Sequence, residues 1–454
     1  MLKKCLFVFL LLAPLLGAAQ VHEYMLDNGL KLLVKEDHRA PVVYSSVWYK
    51  VGGSYEHNGI TGISHVLEHM MFRGTTKYPP GSFEKIISEM GGEQNAMTGN
   101  DQTIYYEKLA SDKLPISFEL EADRMHNLVL TKEIFSKEIQ VVMEERRMRY
   151  EDNPQALTWE RFMAAAHVNN PYHHQAIGWM TDLQNMTVQN VRDWYHQWYA
   201  PNNAFVLVIG DVKADDVYHL AVKYFGKIPK STVKTLKPRT EVPTLGHKQI
   251  DVFAPAKLPW IVMGFPTPTA KTAKNKSDPY ALVVLSAILG GGDSSRFARD
   301  LIRGSQIAAD ASASFDPFTL HQNQFLIDGI PAKGITIDVL KKKLLAQVEK
   351  MKTGLVTVQE LERVKAQVIA ANVFSQDSLS DQAMDLGTPE SIGLSWRDEE
   401  SFVDNIKLVT AQQIQAVAKK YLKQQNLTTA VLHATGNSSK MPMPSQPLPS
   451  AGVR

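Results

Sequence analysis

The sequence predicts an α+β chain of two related domains, each a mostly antiparallel sheet covered by helices on one face. Three observations predict this. Short β-type runs are interleaved with pairs of longer helical segments. A capped helix leading to a terminal strand occurs twice, as Thr187-Val188-Gln189-Asn190-Val191 before 204–209 and as Thr410-Ala411-Gln412-Gln413-Ile414 before 427–432. A strand before an apolar helix also occurs twice, as 42–51 before 63–72 and as 261–265 before 280–289.

The 454 residues suffice for two full cores, and 44% hydrophobic with 21% charged residues is an ordinary globular composition. A net charge of +2 without basic blocks argues against a nucleic-acid partner. Lys3-Lys4, the apolar run from Leu6 to Leu16 and Gly17-Ala18-Ala19 read as a secretory signal peptide over residues 1–19. That gives a bacterial periplasmic or secreted address, with no stable membrane insertion after cleavage. Cys5, the only cysteine, lies inside the signal, so the mature chain has neither disulfides nor thiol chemistry.

Taken in order, Tyr24 to Val34 is a hairpin around Asn28-Gly29, and Val42 to Val51 is a longer strand broken by Gly52-Gly53-Ser54. A helix follows over Ile63–Phe72, with Ser64 or Thr61 as its cap. Phe83 to Met90 is a second helix, ended by Gly91-Gly92. Glu93 to Tyr106 reads as a hairpin with one polar strand. That strand is either an edge able to accept an extended peptide or part of an ordinary surface hairpin. Helices are expected at 113–128, 131–153, 155–166, 187–198 and 214–225, with a buried strand at 204–209. Residues 229–245 are polar and proline-bearing, and read as a linker between a domain at 20–228 and a related one at 246–434. The tail, 435–454, is rich in Pro, Ser and Met and is expected to be disordered.

The chemistry-bearing stretch is His65-Val66-Leu67-Glu68-His69. On a helix, His65 and His69 stand one turn apart on one face with Glu68 beside them. Two imidazoles at i and i+4 can grip one metal ion, and this H-x-x-E-H order is that of the inverted zinc peptidases. The apolar neighbours Val66, Leu67, Met70, Met71 and Phe72 make most of the helix core. A buried carboxylate beside imidazoles is costly unless a cation pairs with it. In the helix at 131–153, Val141, Val142 and Glu145 fall together, 75 intervening residues beyond His69, with Glu138 two turns earlier on the same face. An exposed helix whose acids pair with arginines explains Glu144 well and Glu145 poorly. His173-His174 is expected to be a surface pair in a loop, His57 and His126 to be structural or exposed, and the tryptophans between 179 and 198 to be core.

The chain resembles the pitrilysin/insulinase family of zinc metallopeptidases, and within it the single-chain bacterial branch related to mitochondrial processing peptidase. The resemblance covers roughly residues 22–434. It rests on His65-x-x-Glu68-His69, on Gly91-Gly92 with Asn95-Ala96 and Thr98, on Glu138 and Glu145, and on Tyr199-Ala200-Pro201-Asn202-Asn203-Ala204 before a strand ending Gly210-Asp211. It implies His65, His69 and Glu145 as ligands of Zn2+, Glu68 as general base and Glu138 as a supporting acid. The edge strand around Asn95 and Ala96 is implied to hold the backbone of a peptide substrate. Two domains of this kind form half of a clamshell, so the chain is expected to work as a homodimer or as a heterodimer with a related subunit. In the non-metal half, Arg303 stands for the Arg of the family's Arg/Tyr substrate grip, but Asp310 occupies the Tyr position. The implied activity is a zinc-dependent endopeptidase acting on peptides or unfolded segments. The alternatives are a non-catalytic peptide-binding or structural subunit and a zinc hydrolase of small amides or esters.

Overall fold

A computed structural model describes residues 20–436. The signal peptide at 1–19 and the tail from 437 onward lie outside the described residues. The first domain comprises β1 (Val21–Met25), β2 (Lys31–Glu36), β3 (Val42–Tyr49), α1 (Ile63–Met71), α2 (Ser82–Glu89), β4 (Glu93–Thr98), β5 (Thr103–Ala110), α3 (Leu114–Asn127), α4 (Lys132–Arg146), α5 (Pro154–Ala166), α6 (Met180–Asn185), α7 (Val188–Trp198), β6 (Ala204–Gly210) and α8 (Ala214–Tyr224). The second comprises β7 (Lys248–Ala254), β8 (Trp260–Thr267), α9 (Asp278–Gly290), β9 (Ala308–Ser314), β10 (Asn323–Pro331), α10 (Ile337–Thr353), α11 (Val358–Ser375), α12 (Leu379–Ser391), α13 (Trp396–Glu400), α14 (Phe402–Leu408), α15 (Ala411–Tyr421) and β11 (Thr428–Ala434). Residues 229–247 have no regular structure apart from a bend, and Arg239 and Glu241 there bond back to the first domain.

The two sheets share one topology. Their orders are β1-β2-β6-β3-β5-β4 and β7-β11-β8-β10-β9, so the second repeats the first strand for strand apart from β1. Each has a single parallel pair, β2 with β6 and β7 with β11, among antiparallel neighbours. The helices that lead into β6 and β11 both start with a capping box, Thr187 with Asn190 and Thr410 with Gln413. Gly29 adopts φ +85°, as the turn between β1 and β2 requires. Helix α4 stops at Arg146 and passes into a π-helical turn over Arg147–Glu151, so the expected 131–153 helix is two pieces.

The expectation of helices on one face is exceeded, because each sheet has its other face covered by the opposite domain. In one cluster, Trp48, Phe205 and Leu207 of the first sheet pack against Ala383 and Leu386 of α12 and Trp396 of α13. In another, Phe162, Met163 and Ala166 of α5 pack against Trp260, Val262, Ala430 and Leu432 of the second sheet. This is why β6 is buried along its whole length rather than alternating. A glycine serves each contact. A Cβ at Gly264 would lie 2.5 Å from the Phe162 ring, and one at Gly387 would overlap the Trp48 indole. Gly264→Ala and Gly387→Ala are each expected to cost about 1–3 kcal/mol through overpacking. Gly246→Ala, with open space around it, is expected to be neutral. Urea midpoints of the three variants check this.

Candidate metal centre

Helix α1 carries the site because two stripes divide it. Ile63, Val66, Leu67, Met70 and Met71 recur at the spacing of one face and are fully or almost fully buried. His65, Glu68 and His69 occupy the other side. The expected cap by Ser64 or Thr61 is not found. Gly62 is the N-cap at φ +88° and offers no side chain. Instead Glu56, buried in the preceding loop, accepts from Gly62 N at 2.7 Å and Ser64 N at 2.9 Å. It thereby satisfies two helix-terminal donors from outside the helix. Burial pushes its carboxyl up to about 8, against those two bonds. Thr61 Oγ1 donates to Asp182 at 2.6 Å, which ties the same loop to α6.

Helix α4 brings the third side chain. Thr131 caps its start, and Arg146 fixes its end by donating to Glu160 and to the Gly178 carbonyl, each at 2.7 Å. Glu145 Oε1 lies 3.7 Å from His65 Nε2, and Oε2 lies 3.2 Å from His69 Nε2. The imidazoles stand edge to face, their centroids 4.8 Å apart. Among the described residues, these three form the one group of ligating side chains whose donor atoms all lie within 4.8 Å of one another. Donors bound at about 2.0–2.1 Å around a tetrahedral ion stand roughly 3.3 Å apart; the two carboxylate–imidazole separations, made by different oxygens, lie on either side of that spacing, while the group as a whole spans up to 4.8 Å. Burial, then the neighbouring His69 charge, pushes His65 down to about 4, which leaves it neutral as a ligand must be. Burial raises the Glu145 carboxyl, but the His69 hydrogen bond and the positive charge of Arg149 help to hold it below its ordinary value. Arg149, in the π-helical turn, pairs with Glu145 Oε1 at 2.9 Å. Neither Glu56 nor Arg149 was assigned a role from the sequence. The Glu145–Arg149 spacing of four residues is the signal that points to the arginine, whereas Glu56 carries no local pattern.

Glu68 is half-buried beside the histidines. Thr98 Oγ1, at the end of β4, donates to it, and burial raises its carboxyl against that bond. Glu138 is buried and accepts from Arg73 just beyond α1, so it links α4 to the end of the ligand helix. β4 is the edge of its sheet and packs against α1. Asn95 is exposed, with its side chain bonded to Ala96 N at 2.9 Å, and Ala96 is half-buried. Arg303 lies on a separate π-helical segment, Phe297–Gly304, exposed, and donates to the Asp293 carbonyl at 2.6 Å, while Asp310 sits on β9. Val141 is 48% exposed, so the inward side of α4 runs through Glu138, Ile139 and Val142 instead.

The expected surface pair at His173-His174 is half wrong. His174 is only 1% exposed, with Nδ1 4.0 Å from Glu56. Burial pushes it from 6.5 down to about 4. Its native form is neutral while the unfolded chain takes up a proton, so the stability it contributes is present above about pH 6.5 and is lost as pH falls towards 4. Unfolding free energies from urea titrations between pH 7 and 4 are expected to drop by up to about 1.4 kcal/mol per pH unit on its account, a share that His174→Gln removes.

Residues 31–178 match the family profile described as Insulinase (Peptidase family M16), and residues 185–368 match that of the Peptidase M16 inactive domain. The chain is 34% identical over 362 residues to the zinc protease PqqE of Helicobacter pylori, covering 79% of this chain and 80% of that one. The crystal structure of a protease from Helicobacter pylori superposes with a TM-score of 0.86 at 31% identity, over 92% of this chain and 100% of that one. The first half of the periplasmic protease PqqL from Escherichia coli shares the fold with a TM-score of 0.77 at 18% identity, over 92% of this chain and 94% of that one. Against the structure of whole PqqL the TM-score is 0.78 at 18% identity, over 92% of this chain and 48% of that one. With the inverted histidine motif inside the segment matched by the insulinase profile and the inactive-domain profile matching the segment that follows it, the chain belongs to the pitrilysin/insulinase family of peptidases.

Proposed function

We propose that the chain is a zinc-dependent endopeptidase that hydrolyses peptides or unfolded protein segments. The observation that carries this reading is the convergence of His65, His69 and Glu145 on one point with Glu68 beside it. The relatives named zinc proteases support it. His65, His69 and Glu145 would hold the zinc ion, which when bound would supply a Lewis acid for the peptide carbonyl and bring the pKa of a water to about 7. Glu68 takes the proton from the attacking water and passes it to the leaving amine, a role suited by its raised carboxyl. β4 offers a free edge to which an extended substrate adds as a further strand, fixing its carbonyl beside Glu68. Asn95 and Ala96 are the backbone positions of that edge, and Glu138 holds the ligand helix through Arg73.

The same reading puts the mature chain in the periplasm or outside a bacterial cell and pairs it with a second chain, either identical or a related subunit, to complete a chamber. No helix among the described residues is long and apolar enough to cross a membrane. Metal content, solution mass and cleavage of a quenched peptide by the purified mature protein test the proposal together. One zinc per chain with cleavage abolished by chelation is expected. Peptide binding without cleavage, zinc being present, identifies the non-catalytic alternative.

A further inference from the structure

The second domain adds no side chain to the metal cluster, yet it reaches the frame around it. Its β9–β10 connection meets the tip of the β4–β5 hairpin at Asp101, which is 5% exposed. Asp101 Oδ1 accepts from Ser54 Oγ at 2.7 Å. Oδ2 accepts from Tyr172 OH at 2.5 Å and from Leu320 N at 3.1 Å. The Tyr172 hydroxyl in turn accepts from His321 N at 3.1 Å, and its ring meets the His321 imidazole edge-on at 5.4 Å. One carboxylate thus joins the hairpin turn, two other segments of the first domain and a loop of the second.

Two of those segments lead directly to the site. Asp101 is three residues from Thr98, the donor to Glu68. Ser54 is two residues from Glu56, the acceptor at the start of α1. Their backbones are docked together, with Gly53 N donating to Gly99 O at 3.1 Å and Ser54 N to Asn100 O at 2.6 Å. A Cβ at Gly52 would overlap the Gly99 carbonyl, so the approach is as close as backbone permits.

We propose that Asp101 and Tyr172 are positioning residues through which the second domain fixes the edge strand β4 in register with α1. The inference rests on the peptidase reading above. A substrate paired along β4 takes its alignment from that strand, so a slip at the hairpin tip displaces the scissile carbonyl from Glu68 and the ligand cluster. A buried carboxylate suits the junction because it needs several donors at once and is costly when any is missing.

Tyr172→Phe removes the hydroxyl and keeps the ring, and Asp101→Asn keeps the shape and loses the charge. Two measurements on the full-length, zinc-loaded protein test the proposal. In both variants, backbone hydrogen exchange over residues 96–103 is expected to accelerate at least about tenfold, while α1 amides and zinc stoichiometry match the wild type. On a quenched peptide long enough to lie along β4, kcat is expected to fall about tenfold with KM changed less than about twofold. Unchanged exchange at the hairpin overturns the proposal. So does loss of zinc and α1 protection in parallel with activity, which is what a general weakening of the fold produces. Should the wild type hold zinc and cleave nothing, the peptidase reading fails, and the exchange comparison still decides whether the brace exists.

Discussion

Glu68→Gln is expected to keep one zinc per chain and to slow peptide hydrolysis by about 10²–10⁴-fold, the range a positioned general base contributes. The substitution is informative because it changes so little else. Glu68 belongs to neither of the side-chain pairs that meet Glu145, so the donor set survives. A glutamine carbonyl can still accept from Thr98 Oγ1, so the bond between β4 and α1 survives as well. What is lost is a group that can take a proton. KM is expected to stay within a few-fold, because strand addition along β4 does not involve this side chain. Metal analysis beside kcat and KM checks the split. Retained activity would remove Glu68 from the mechanism, and lost zinc would make it a ligand.

How much of this was legible in the sequence depends on the range of the interactions. The i, i+4 histidines, the Asn28-Gly29 hairpin and the two Thr-capped helices are local patterns, and each forms where the pattern places it. The meeting of α1 with α4 is not local. The family resemblance, together with an acid on the apolar side of a helix, implies it; no spacing in the sequence does. The cap of α1 escaped because Glu56 approaches from a loop in a way no spacing rule describes. His174 escaped for a related reason. A histidine beside a proline turn reads as exposed until the linker residue Arg239 and the buried Glu56 are seen to close the loop over it. Likewise, the continuous apolar run at 204–209 marks a buried strand without saying what covers its second face, and the helices exchanged between the domains supply that cover from the other half of the chain.

The ligand assignment faces its own test at Glu145. Glu145→Ala is expected to weaken zinc binding by more than about 100-fold, since even outer partners of ligands are worth 10–100-fold. Two imidazoles remain, and they do not complete a tight site alone. A ligand that binds only the folded chain, present at a hundred times its dissociation constant, raises stability by about 2.7 kcal/mol, the gain expected of zinc on the wild type. The variant is expected to show almost none of that gain at the same concentration, as read from thermal or urea unfolding with and without zinc. The competing account is that Glu145 serves only to pair with Arg149, whose side chain is 59% exposed. An exposed pair of that kind contributes about 0–1 kcal/mol. Arg149→Met therefore separates the two readings. If Glu145 is a ligand, removing the arginine costs affinity modestly and the zinc-linked gain persists. If the pair is all there is, both variants behave alike and zinc stabilises each as much as the wild type. The 3.2 and 3.7 Å separations to the two imidazoles favour the first outcome, because a carboxylate held for an arginine alone has no reason to bring an oxygen to each of two histidines.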